Sequence, residues 1–163
     1  SLFLNDRTDF AGRYYQLTDA PLVPKPAQRT LPLLIGGGGE KVTMRIAATY
    51  ADEWNVWGGP DVLRQKGVVL EEHCRAIGRD PKEIHRSAQG MLVLTDDREM
   101  IDRMKASGRP VIAGNGAQVR EVVQAYADAG VDELIIPDFN LGSGSARLGQ
   151  YDRFWDEVAV HFR

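Results

Sequence analysis

Four consecutive glycines, Gly36, Gly37, Gly38 and Gly39, followed by Glu40 and Lys41, carry the most chemistry in the chain. They come straight after the apolar run Leu33-Leu34-Ile35 and just before a stretch with helical spacing. Glycine admits positive φ and lets a ligand approach the backbone closely. A helix N-terminus adds unpaired N–H groups and the positive end of the helix dipole. Together these make an anion site, most often for phosphate, and Lys41 adds a charge. The alternative reading is a sharp turn that packs a helix on a strand. Two phosphate motifs fail here. A Walker A loop needs Ser or Thr after its Lys, and Val42 follows Lys41. The dinucleotide fingerprint needs glycine where Lys41 stands.

Other residues with useful chemistry also cluster at strand ends. Trp54, Asn55 and Trp57 close a second strand, and Asp138, Phe139 and Asn140 follow a later one. At the carboxyl ends of barrel strands such residues line a substrate pocket. The competing readings are an aromatic cap on the core and a polar loop. Gln89 and Met91 on a third strand read as interior filling. His73, His85 and His161 are scattered without metal-ligand spacing, so no metal is expected. Cys74 sits in the apolar stripe of a helix and reads as an inert core thiol. No Ser-His-Asp arrangement is legible.

The elements that must position these residues alternate regularly from Leu33. Strands are predicted at 33–35, 53–57, 85–94 and 131–137. Helices are predicted near 40–50, 61–77, 95–106, 118–129 and 146–163. Val42, Ile46, Ala47 and Tyr50 form the predicted inward face of the first helix. Leu63, Gly67, Leu70, Cys74 and Ile77 form that of the second, and Tyr151, Phe154, Trp155, Val158 and Phe162 that of the last. Gly108–Gly116 reads as a loop and Gly142–Ser145 as a flexible linker. Residues 1–32, with Pro21, Pro24, Pro26 and Pro32, read as an extended connection without regular structure.

A strand–helix pair repeated four times implies an α/β chain with a parallel sheet. Over 33–141 it fits a small doubly wound sheet or the C-terminal half of a (β/α)8 TIM barrel. Half a barrel leaves two open edges and an apolar inner face. A homodimer, or pairing with a separate N-terminal half, is therefore expected. The chain opens on Ser1 and reads as a single partial domain, a fragment or a processed product.

Composition narrows the class. Of 163 residues, 43% are hydrophobic and 26% charged, which is globular rather than disordered. The net charge of -3 argues against nucleic-acid binding. No apolar run approaches a membrane span, and one cysteine permits no internal disulfide. With no signal peptide read at Ser1–Leu4, a cytoplasmic protein acting on a small-molecule substrate is expected.

Longer stretches resemble a known family. They are Phe10-Ala-Gly-Arg-Tyr-Tyr-Gln-Leu-Thr-Asp-Ala-Pro, Pro24-Lys-Pro-Ala-Gln, Leu33-Leu-Ile-Gly-Gly-Gly-Gly-Glu-Lys and Arg45-Ile-Ala-Ala-Thr-Tyr-Ala-Asp-Glu-Trp-Asn. His73-Cys-Arg-Ala-Ile-Gly-Arg-Asp-Pro and Ala129-Gly-Val-Asp-Glu-Leu-Ile-Ile are similar to it as well. Together they resemble the luciferase-like monooxygenase superfamily, in particular its coenzyme F420-dependent oxidoreductases. The resemblance covers nearly the whole chain and corresponds to the C-terminal half of the family's barrel. It implies hydride transfer with coenzyme F420, or alternatively with the flavin FMN in a monooxygenase. It implies that Gly36–Gly39, with Glu40 and Lys41 beside them, contact the cofactor near its phosphate and ribityl chain. The family's acid, base and ring-face residues lie mostly in the other half, so the resemblance assigns no catalytic residue here. A non-catalytic half-barrel module is the reading from a different class.

Overall fold

The computed structural model describes residues 1–162, which form two compact units that divide after Pro32. In the first, β1 (Arg7–Ala11) and β2 (Gln16–Pro21) form an antiparallel hairpin. Phe10 opposes Leu17, and a bulge lies between Thr8 and Phe10. The Gly12 N–H closes the turn on the Tyr15 carbonyl at 2.9 Å. Residues 1–32 therefore hold regular structure where the sequence predicts none. Both strands are mostly exposed, so they carry no apolar alternation for a period-2 reading to find.

The second unit alternates strand and helix. Its elements are β3 (Leu34–Gly36), α1 (Thr43–Tyr50), β4 (Glu53–Trp57), α2 (Pro60–Ala76), β5 (His85–Gln89) and β6 (Met91–Leu94). There follow α3 (Arg98–Lys105), β7 (Val111–Gly114), α4 (Gly116–Asp128), β8 (Glu133–Ile135) and α5 (Gly144–Glu157). Strands β3, β4, β5 and β8 form one parallel sheet in that order, and β6 pairs with β7 in parallel. The α/β class and the partial-barrel reading both hold.

Several boundaries differ from the sequence reading. The strand predicted at 85–94 divides at Gly90, whose N–H reaches the Ile135 carbonyl at 3.3 Å. A Cβ at Gly90 would stand 2.8 Å from Ile112 Cδ1, so only glycine lets β7 and α4 come so close. The loop predicted at Gly108–Gly116 contains β7, and α5 begins inside the predicted linker, with Ser143 at its N-cap. Helix α1 buries Met44, Ala47 and Ala48, while Val42, Ile46 and Tyr50 are exposed. In α5, Tyr151 and Trp155 are likewise exposed. Helix α2 buries Leu63, Gly67, Leu70 and Cys74 as predicted, with Ile77 outside.

The core joins Met44, Ala47 and Ala48 of α1, Trp54 and Val56 of β4, Leu63, Leu70 and Cys74 of α2, and Val119 and Tyr126 of α4. A smaller cluster of Val93, Ile101 and Ala113 fastens α3 to β6 and β7. Helix α4 starts on a capping box: the Gln118 N–H donates to Asn115 Oδ1 at 3.0 Å, and the Asn115 N–H to Gln118 Oε1 at 3.1 Å. The Tyr126 hydroxyl donates to the Gly58 carbonyl at 2.9 Å, and burial pushes its pKa up to about 12.

Candidate functional site

Parallel pairing puts the carboxyl ends of β3, β4, β5 and β8 on one side of the sheet, where open α/β sheets and barrels bind ligands. The glycine loop leaves β3 at that side. Gly37 has φ +120°, a backbone region essentially reserved for glycine. The loop is held from beneath by β4. The Gly37 N–H donates to the Asn55 carbonyl at 2.9 Å, and Trp54 Nε1–H donates to the Gly37 carbonyl at 2.9 Å. Gly36, Gly37 and Gly39 stay exposed. The N–H groups of Gly38, Gly39 and Glu40 find no acceptor among the described residues.

Two of the glycines are also closely packed. A Cβ at Gly39 would lie 3.0 Å from Thr43 Oγ1, and one at Gly38 would lie 3.3 Å from Val56 Cγ2. Helix α1 then begins at Thr43, and its N-cap residue Val42 makes no side-chain cap bond. The loop is thus exposed backbone held from beneath by β4, with three N–H groups free of protein acceptors, and backbone of this kind can bind an anion.

A charge that the sequence does not mark joins Glu40 and Lys41 beside the loop. Lys41 is exposed on the turn, whereas Lys66 of α2 reaches the loop from the side. Lys66 Nζ pairs with Glu40 Oε1 at 2.6 Å, and its Cε would lie 3.6 Å from a Cβ on Gly38. The hydrogen bond and charge of Lys66 hold the Glu40 carboxyl below the usual carboxylate range. His73 Nε2 sits 2.7 Å from the Glu40 carbonyl. Nothing in the sequence marks Lys66, because it meets the loop only through the packing of α2 against α1.

The predicted pocket residues separate. Trp54 is fully buried among the core side chains, so the expectation that it lines a pocket gives way to a bracing role under Gly37. Asn55 faces the other way, since successive strand residues alternate faces. That face carries a polar chain in place of the apolar interior expected. The Ser87 hydroxyl donates to Glu53 Oε1. Asn55 Nδ2 donates to Ser87 Oγ at 2.7 Å, and Gln89 Nε2 donates to Asn55 Oδ1 at 2.9 Å. Asn55 is 5% exposed and Ser87 fully buried. The period-2 polar residues Glu53, Asn55, Ser87 and Gln89 were the signal that sequence reasoning passed over.

Trp57, at the end of β4, stacks on Phe139 with ring centroids 6.3 Å apart and planes 10° from parallel. The two rings make an exposed aromatic wall at the carboxyl side. Asp138 is instead tied to Arg147 of α5, and Asn140 Nδ2 donates to the Leu92 carbonyl at 2.6 Å. Asn140 borders a cavity of 290 Å3 beside Leu92, Leu94, Met100 and Gln150, away from the glycine loop. Asp138 and Asn140 therefore brace the segment after β8 and do not join Asn55. Among the described residues no metal-ligating cluster occurs, and no helix is long and apolar enough to cross a membrane.

Comparison with known proteins gives the family and the fold. Residues 1–109 match the model of the luciferase-like monooxygenase family. A coenzyme F420-dependent tetrahydromethanopterin reductase from Methanopyrus kandleri superposes with TM-score 0.76 at 16% identity, covering 95% of this chain and 58% of that one. An F420-dependent secondary alcohol dehydrogenase, solved with an F420-acetone adduct, superposes with TM-score 0.73 at 19% identity, covering 96% and 57%. A riboflavin lyase, solved with modified FMN and riboflavin, gives TM-score 0.69 at 12% identity, covering 96% and 48%. The chain thus spans roughly half the length of these solved structures, and at such identities the likeness is one of fold.

Proposed function

The chain belongs to the luciferase-like monooxygenase family, and on that premise we propose that it supplies the phosphate-binding part of an oxidoreductase that uses coenzyme F420. The observation that carries this reading is the exposed glycine loop with its unpaired N–H groups at the carboxyl side of the sheet. Phosphate oxygens accept from the N–H groups of Gly38, Gly39 and Glu40. Lys66 supplies positive charge beside them, and Glu40 balances that charge when no anion is present. The stacked Trp57 and Phe139 keep water from one side of the ring. A bound deazaflavin supplies hydride chemistry, and this chain's residues bind and orient it. Acid–base groups are assigned to none of them.

FMN is the second reading, because backbone N–H groups meet the same phosphate and ribityl chain in either cofactor. The outer edges of β3 and β8 are unpaired in the described sheet. We propose that a further half-barrel, or a second copy of the chain, pairs there.

The test is a separate titration of F420 and FMN into the protein at its native length, followed by fluorescence. Tight binding of F420 with weak FMN supports the first reading. The reverse assigns FMN. Failure of both to bind would overturn the proposal.

A further inference from the structure

From the polar chain across β4 and β5 we infer that Gln89 is a ring-recognition residue, aimed by Asn55, Ser87 and Glu53. The inference rests on the cofactor reading above and adds to it the group that reads the heterocycle.

The direction of every hydrogen bond in the chain follows from chemistry. A carboxylate only accepts, so Ser87 must spend its single O–H on Glu53. Ser87 Oγ can then only accept from Asn55, which turns the Asn55 NH2 toward it at 2.7 Å. Asn55 Oδ1 is left facing Gln89, whose NH2 must donate to it, as observed at 2.9 Å. The Gln89 amide therefore cannot flip without breaking the chain. Its Oε1 and its second N–H have no partner among the described residues.

The cost of this arrangement points the same way. Burying the hydroxyl of Ser87 and the amide of Asn55 is favourable only when each is bonded. A strand serving packing alone is filled by Val or Ile at such positions. Here the bonded groups run from Glu53 toward the carboxyl end of the sheet and finish on a half-buried amide. Gln89 lies in register with Trp57, the aromatic wall. An oriented acceptor and donor beside an aromatic face suit a planar heterocycle that carries a donor next to an acceptor, and under the cofactor reading that edge is a lactam, an N–H next to a C=O. The pyrimidine portions of flavins and of 5-deazaflavins both present that edge.

The experiment is a cycle between protein and ligand at native chain length. Riboflavin and the 5-deazaflavin nucleoside are each titrated with and without a methyl group on the lactam nitrogen, which removes its N–H. Wild type should bind the methylated compounds at least tenfold more weakly. Gln89→Leu should bind both forms equally, and Ser87→Ala, which frees the amide to flip, should lose most of the discrimination. Thermal melts confirm that the variants fold, and Gln89→Met serves if Gln89→Leu does not. Equal discrimination in wild type and Gln89→Leu would overturn the inference and leave the cofactor reading standing. Binding of neither nucleoside, together with neither F420 nor FMN, would end both. Preference for the flavin or the deazaflavin arm identifies the source of the ring.

Discussion

Replacing Gly36 with alanine separates ligand contact from loop folding. A Cβ at Gly36 meets no heavy atom within 4 Å, and its φ lies outside the positive region. Gly36 ends β3 opposite Asn55, a position where alanine is entropically cheaper than glycine by about 0.5–1 kcal/mol. Stability should therefore hold or rise slightly. Gly37 is the contrast, with φ +120° and a Cβ that would stand 3.3 Å from Thr43 Cγ2. Gly37→Ala should cost about 1–3 kcal/mol of stability through backbone strain. If a phosphate or ribityl chain lies on the loop, the methyl of Gly36→Ala lifts it off the N–H groups. Hydrogen bonds to a charged group contribute about 1.5–3 kcal/mol. That corresponds to a roughly ten- to hundredfold rise in Kd. Calorimetric titration of F420 and FMN, with thermal melts of each variant, reads both effects. A folded Gly36→Ala protein with wild-type affinity would refute the argument, because the loop would then be a turn that no ligand touches.

Trp54→Phe removes the indole N–H from the Gly37 carbonyl and leaves a gap in the core; denaturant melts should show a loss of about 1–3 kcal/mol, and an unchanged midpoint would show that the loop does not depend on that bond. Tyr126 has its pKa raised from 10.0 to about 12 by burial, so the folded state keeps the proton longer than the unfolded chain. Its contribution is complete below pH 10 and is lost as pH rises toward 12. Tyr126→Phe should flatten the alkaline limb of stability over that window, and identical limbs for the two proteins would contradict this.

The α/β alternation and the glycine loop were legible because each rests on local signals: apolar runs, glycine punctuation and helical spacing. What was missed depends on contacts distant in sequence. Strand β7 is four residues between glycine-rich turns, too short to outweigh the loop signal around it. At the Gly90 break, Ile112 and Tyr126, which lie well downstream, crowd the position where a side chain would stand. On α1 the choice of Met44 over Ile46 as the inward residue turns on which side α2 packs, and spacing alone does not decide it. At the site, Asn55 stands out by its place at a strand end but its hydrogen-bond chain does not, since Glu53, Ser87 and Gln89 meet it only through the parallel register of β4 and β5. Trp54 was marked for its type, and strand alternation then turned it into the core.

The two bonds on Gly37 have a thermodynamic consequence for any guest of the loop. Its N–H and its carbonyl are both engaged by β4, and the bracing indole is sealed in the core. The conformational entropy of Gly37, about 1–2 kcal/mol for an ordered residue, is thus lost at folding and not at binding. An arriving ligand meets a cradle already shaped, and its association entropy is spared that loss. The empty and filled loops should superpose, and the heat capacity of binding should report the ring and its aromatic wall with no contribution from ordering of the backbone.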